Sequence, residues 1–319
     1  MEKIAVLTVY YGELPLYYRL WLRSCELNPT IDFYMVTDIK ITALPKNVKV
    51  IPISFQEFRA LAEKKLGLPI SLDTPYKLCD YKPLYGQIME DYLTEYDYWA
   101  HCDMDLIFGD LRAYFDKFNL SKFDRFLHLG HLSLYRNTAE CSKFYTLPGS
   151  KCGSWKDVVT NPENYLFDEW NGIYGIFHEN NLPMFEERIF ADISIIYTRF
   201  RLALDDPNYD QQVFYWEDGH VYRTYWLDGE EKTEEFIYIH FKKRKFGKEP
   251  FDAASIKAFF IGPDGFTEKT GLVRREDVDR INPYQGVEYE KRELKHRRQM
   301  EERQKWKDRF NRIWGKIKQ

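Results

Sequence analysis

The sequence has no CxxC pair, no even complement of cysteines and no uninterrupted apolar run of the roughly 20 residues a membrane helix requires. Its five cysteines (Cys25, Cys79, Cys102, Cys141, Cys152) stand singly in stretches that read as core, so reduced thiols are expected rather than a disulfide framework. The first residues, Met1 to Tyr11, read as a strand with neither an apolar leader segment nor a small-residue cleavage site, and a cytoplasmic protein is expected. No Gly-rich basic loop follows that strand, which argues against nucleotidyl transfer. A strong charge of either sign is also missing. With net charge −4 and pI near 6.0, the chain is not a general nucleic-acid binder.

The 319 residues are 44% hydrophobic and 17% aromatic, enough for a substantial core in one large or two modest domains. Charge is unevenly spread. Residues 288–319 carry twelve Lys/Arg against six Asp/Glu, a local +6 on a body of −10.

Ile4 to Tyr11 is an apolar, β-branched run ending at Gly12, as in a central parallel strand. A helix with Pro15 in its first turn follows, then strands over 31–38 and 48–53. In open α/β sheets, ligands gather beyond the strands' carboxyl ends, which places Thr8, Tyr10, Tyr11 and Asp38 where a base and ribose dock, unless they are ordinary strand ends. Ser54 to Gly67 reads as a helix with a Ser54–Glu57 capping box. The segment 76–88 leads into a helix running to about Tyr96, with Lys77, Asp80 and Lys82 at its anion-favouring N-terminal end. The alternative is a capping aspartate flanked by solvated lysines.

The chain is organised around Tyr98-Trp-Ala-His-Cys-Asp103-Met-Asp105-Leu-Ile-Phe-Gly-Asp110. Residues i and i+2 of an extended segment share a face, so Asp103 and Asp105 can reach one divalent cation, with Met104 turned inward. Hard oxygen ligands suit Mn²⁺ or Mg²⁺ and leave positions for diphosphate oxygens. An isolated pair also fits two solvated turn aspartates. Here Gly109 can turn and Asp110 can cap a helix over 111–118.

With the N-terminal pattern, this stretch resembles nucleotide-sugar glycosyltransferases of the GT-A fold, especially bacterial enzymes of capsular and surface-polysaccharide assembly. The resemblance implies an α/β fold with a Rossmann-like mixed sheet flanked by helices, a UDP-sugar donor near the first strand, and contact of Asp80-Tyr81-Lys82-Pro83 with donor sugar or phosphate.

Residues 123–137 read as one strand or a hairpin. His128 and His131 fall on opposite faces of a regular strand without further ligands nearby, so no zinc site is expected. The segment up to Asn164 reads as an irregular acceptor-facing loop or lid. Asp168 and Glu169 follow an apolar strand end and precede an amphipathic helix; the resemblance implies that one, with preference for Asp168, is the general base of an inverting transfer. The alternative is an N-cap and a first-turn acid. Strands at 190–197 and a hairpin about Asp218-Gly219 precede a strand ending at His240. The resemblance implies that His240 is the third metal ligand and that Lys242, Lys243 or Arg244 holds the diphosphate.

Residues 288–319 lack proline and hold one glycine, and predict a long helix in which Trp306, Phe310, Ile313, Trp314 and Ile317 form an apolar stripe among basic residues. Such a helix suits the anionic inner face of a membrane, and the resemblance implies a saccharide or lipid-linked saccharide acceptor that would be held there; docking on the body or on a coiled-coil partner is the alternative. The expected organisation is a catalytic domain over 1–250, a connecting segment over 251–287 and the helix over 288–319. The other functions open to this sequence are a retaining transferase on the same fold and a non-catalytic carbohydrate- or membrane-binding protein.

Overall fold

A computed structural model describes residues 1–317 except 204, 205 and 243, with side chains described as far as Trp306. Strands β1 (Ile4–Val9), β2 (Ile31–Thr37), β3 (Val48–Pro52) and β4 (Tyr98–Cys102) run parallel in the spatial order β3-β2-β1-β4. Helices Tyr18–Glu26 and Phe55–Leu66 lie in the crossovers. Along β1, Ile4 and Val6 enter one apolar layer with Trp21 and Phe33, while Ala5 and Leu7 enter the opposite layer with Phe58 and Tyr81. Two covered faces are why the strand is apolar throughout rather than alternating. Each fully buried Ile, Val, Leu or Phe among them contributes about 1.5–3 kcal/mol.

The short β5 (Leu106–Phe108) leaves this sheet. β6 (Arg125–Phe126) and β7 (Leu132–Arg136) form the antiparallel hairpin that extends it beyond β4, and β8 (Met184–Phe185) closes its edge. β9 (Ala191–Asp192) lies elsewhere. β10 (Gln211–Glu217) and β11 (His220–Leu227) make a hairpin whose turn residues, Asp218 and Gly219, both have positive φ, and β12 (Glu230–Phe236) follows. β13 (Tyr238–His240) runs between β5 and β9 in a separate three-stranded sheet.

The segment 251–287 is more than a connector. Its strands β14 (Ala258–Gly262) and β15 (Gly265–Glu268) join the five-stranded sheet β12-β11-β10-β14-β15, because Phe259, Ile261 and Phe266 complete the apolar layer behind β10. The edge strand β12 exposes Glu230, Glu231, Lys232 and Glu235. The Trp216 indole of this sheet donates to the Phe108 carbonyl at 3.0 Å, tying it to the three-stranded sheet.

Helix Phe55–Leu66 has the Ser54–Glu57 capping box and the left-handed Gly67 cap that its sequence predicts. The helix expected up to Tyr96 is instead a 3₁₀ run, Pro75–Leu84, followed by short helices Tyr85–Ile88 and Glu90–Leu93. The irregular segment after β7 contains a 3₁₀ turn, Cys141–Thr146, and helix Trp155–Thr160 capped by Ser154. A helix spans Val287–Ile317. Its first turns dock on the body: Glu290 pairs with Arg201 and, at 3.7 Å, with Arg199, and Glu293 accepts the Thr198 amide at 3.0 Å. The side chains of Phe310, Ile313, Trp314 and Ile317, which the expected stripe needs, lie outside the described residues; Trp306 is exposed. No described helix is long and apolar enough to cross a membrane. The five cysteines are all free thiols.

Candidate metal and carboxylate site

The three-stranded sheet builds the site. Asp103 and Asp105 flank the buried Met104 where the chain passes from β4 into β5, and β13 pairs antiparallel with β5 so that His240 lies opposite Leu106. The Phe241 amide donates to the Asp105 carbonyl at 3.0 Å, fixing the register at this end. His240 Nε2 consequently lies 3.5 Å from Asp105 Oδ1, and ligand atoms of Asp103, Asp105 and His240 all fall within 4.8 Å of one another. Adjacent ligands about a small divalent cation with bonds of roughly 2.1 Å are separated by roughly 3 Å, so side-chain movement of these three groups would have to draw them together around Mn²⁺ or Mg²⁺. Two carboxylates and a neutral imidazole are also a donor set such ions accept.

The electrostatics fit a cation site. Burial raises the Asp103 carboxyl above its usual range, with Lys82 opposing and Asp105 adding to the rise. Burial works against charge on His240, yet Asp105 and Asp192 lift it to about 9. A cation between these groups would relieve the Asp103–Asp105 repulsion and displace the imidazole proton.

Lys82 joins this group to the second carboxylate pair. Its Nζ lies 2.7 Å from Asp103 Oδ1 and 2.9 Å from Asp168 Oδ2, and donates to the Gly130 carbonyl at 2.9 Å. Burial would lower its pKa, but the two aspartates hold it well above the usual lysine value. Asp168 therefore turns inward rather than capping a helix, and its Oδ1 is buried without a hydrogen-bond partner. Glu169, beside it, is raised to about 7 by burial and by the Asp168 charge. No strand precedes these acids. They leave a loop and enter a π-helical turn, Trp170–Tyr174, in which a Cβ at Gly172 would strike the Phe167 carbonyl. Gly130 faces them closely enough that a Cβ there would overlap the Asp168 carboxylate. Trp170 remains 40% exposed next to the pair, its ring 5.0 Å from that of His128.

Lys77 and Asp80 sit apart from this centre, in a buried clamp. Lys77 Nζ meets Asp80 Oδ2 at 2.8 Å, the Val158 carbonyl at 2.9 Å and the Glu163 carbonyl, while Asp80 accepts the amides of Tyr165 (3.0 Å) and Phe167 (2.9 Å). Together they hold the loop that presents Asp168. Arg244 is similarly occupied: it donates to the carbonyls of Ser194 (2.8 Å), Tyr197 (2.6 Å) and Thr198 (3.2 Å). Lys242 pairs with Asp192 at 2.6 Å, and Lys243 lies outside the described residues.

At the ends of β1 and β2, Thr8 is buried with its hydroxyl 2.9 Å from the Cys102 thiol, forming floor rather than surface. Tyr10 is partly open; burial and the Asp105 charge raise its phenol. The Tyr11 ring packs edge-on to Phe55 at 5.3 Å, and Asp38 is exposed beyond Thr37.

Two participants carry no signal in the sequence reading. Asp192 Oδ1 lies 2.9 Å from His240 Nδ1, and His131 stacks on His240 at 4.3 Å. The expectation that His131 has no ligand-type neighbours is overturned: Asp192 and His240 reach it from β9 and β13. Only strand pairing, which no local pattern encodes, brings them together.

Comparison with solved structures finds partial likeness to a galactosyltransferase, LgtC, crystallised with donor and acceptor sugar analogues (11% identity, TM-score 0.37, covering 59% of this chain and 75% of that one). A second is a glycosyltransferase involved in glycosylation of the major capsid of PBCV-1 (10% identity, TM-score 0.35, 60% and 85% coverage). At these scores the likeness carries no argument about function. No curated protein matches the chain. A family described as of unknown function, DUF6625, matches residues 6–270, and the chain belongs to that family.

Proposed function

We propose that this protein is a metal-dependent glycosyltransferase of the GT-A type. It moves a hexose from a UDP-linked donor to a hydroxyl of a saccharide or lipid-linked saccharide, with inversion, in surface-polysaccharide assembly. The observation that carries this reading is the convergence of Asp103, Asp105 and His240 from opposite halves of the chain into one ligand group. A carboxylate pair joined to it through Lys82 supports the reading.

Asp103, Asp105 and His240 would hold Mn²⁺ or Mg²⁺, which would supply positive charge for the departing diphosphate. Lys242, held by Asp192 at 2.6 Å, adds fixed positive charge beside it. Tyr10, Tyr11 and Asp38 border the nucleoside cleft above the floor made by Thr8. Lys82 holds Asp103 and Asp168 in place through a buried ion pair, which leaves Glu169 to accept the proton of the attacking hydroxyl. Position governs that step, because a carboxylate helps only as the proton departs. The exposed face of Trp170 suits the apolar side of an acceptor pyranose. The basic C-terminal helix brings the enzyme to an anionic membrane surface on the cytoplasmic side, where a lipid-linked acceptor is held.

Calorimetric titration with UDP and then GDP, each with Mn²⁺ or EDTA, on wild type and Asp105→Ala tests the donor site. Metal-dependent UDP binding that the substitution abolishes is expected. Failure to bind either nucleotide would favour a carbohydrate- or membrane-binding protein.

A further inference from the structure

His240 belongs to two groups of metal-ligand side chains: Asp103 and Asp105 on one side, His131 and Asp192 on the other. An imidazole has one nitrogen for each side. Nδ1 lies 2.9 Å from Asp192 Oδ1, while Nε2 lies 3.5 Å from Asp105 Oδ1. The first contact is built by the backbone, since β9 runs parallel to β13 with Asp192 directly opposite His240. The other Asp192 oxygen lies 2.6 Å from Lys242 Nζ, so both oxygens have partners. His131 makes a poor co-ligand on the inner side. Its ring stacks on that of His240 with 25° between planes, which directs the in-plane lone pairs side by side rather than to one point, and its Nδ1 is 2.8 Å from the Tyr238 hydroxyl.

We propose that Asp192 is a positioning residue for the cation site: it accepts the Nδ1–H of His240, fixes the imidazole, and commits Nε2 to the Asp103–Asp105 side. The inner group then takes no cation, because its only carboxylate is shared between His240 and Lys242. This rests on the metal-dependent reading above. A carboxylate behind a ligand histidine sets its tautomer and orientation, and losing it typically weakens metal binding about 10–100-fold.

The test is Mn²⁺ binding, followed by electron paramagnetic resonance of the full chain with UDP present. Asp192→Ala should weaken Mn²⁺ binding by about 10–100-fold. Asp192→Asn keeps an acceptor oxygen for Nδ1–H and should recover most of the loss; His131→Ala should bind like wild type. Unchanged affinity in Asp192→Ala, no recovery in Asp192→Asn, or a loss in His131→Ala as large as in Asp192→Ala would each overturn the proposal. Should Asp192→Ala fail to fold, long-range ¹H–¹⁵N spectra of wild type with UDP and Zn²⁺ read the tautomer directly. A proton on Nδ1 is expected, and a proton on Nε2 overturns the assignment. If wild type binds no Mn²⁺, or Asp105→Ala binds it equally well, the metal-dependent reading itself has failed and the proposal falls with it.

Discussion

Lys82 Nζ lies 2.9 Å from Asp168 Oδ2, and both side chains are almost closed to solvent. Since the same ammonium is 2.7 Å from Asp103, one buried cation compensates two acids that serve different parts of the site. Removing a single partner from such a pair strands a charge and costs about 3–5 kcal/mol. Lys82→Met should therefore lower the unfolding free energy by that amount, seen as a lower urea midpoint, and adding Asp168→Asn should restore part of it. An unshifted midpoint would show that the pair is not coupled in solution.

Glu169 should give the reaction a pH signature. Its carboxyl is raised from 4.5 to about 7, so kcat/KM should climb with pH and level off above about 7. Glu169→Gln should lower kcat by about 10²–10⁴-fold and abolish that limb. Stability runs the opposite way. Between pH 4.5 and 7 the unfolded chain has already released the proton that the native state keeps, so native stability falls as pH rises. At pH 8, Glu169→Gln should be more stable than wild type by roughly 1–2 kcal/mol, read by thermal melts.

The Asp80 clamp predicts a defect at a distance. Asp80→Ala leaves the Tyr165 and Phe167 amides without their acceptor and the buried Lys77 without its counter-charge, and should cost about 3–5 kcal/mol. The loop before Asp168 should loosen with it. Native-state trypsin cleavage after Lys151 or Lys156, much faster than in wild type, is the expected readout, while an equal rate would refute the clamp.

Gly130→Ala inserts a methyl where the Asp168 carboxylate lies. The expected outcome is a folded protein with kcat lowered about 100-fold, since displacing a positioned group by about an ångström costs that much. Circular dichroism with single-turnover rates separates this from unfolding.

Removing residues 300–319 preserves the Glu290 and Glu293 contacts with the body. It should abolish flotation with phosphatidylserine vesicles and leave transfer to a soluble acceptor unchanged. Equal, negligible flotation of both forms would remove the membrane role of this helix.

The parallel core was legible because β1 buries both faces and so reads as one apolar run. The spacing of Asp103 and Asp105 was legible for a similar reason: a two-residue offset is a local property of extended chain. Lys77, Asp80 and Lys82 looked equivalent because the sequence predicts a helix there. In the 3₁₀ run, side chains at i and i+3 eclipse, so Lys77 pairs with Asp80 and Lys82 is left to the site. Asp192 could not be found this way. It stands between Ala191 and Ile193 as an acid in a core strand, and its role appears only when β13 pairs beside it.

The acidic margin of β12 also bears on how these molecules behave in a crowded cell. An outermost strand is a ready template for adding another chain, backbone to backbone. Here a second molecule aligning along Glu230–Phe236 would meet the carboxylates of Glu230, Glu231 and Glu235, with Lys232 beside them and Glu234 already paired with Arg223. Growth of ribbons or fibres from this flank is thus discouraged by repulsion between like charges.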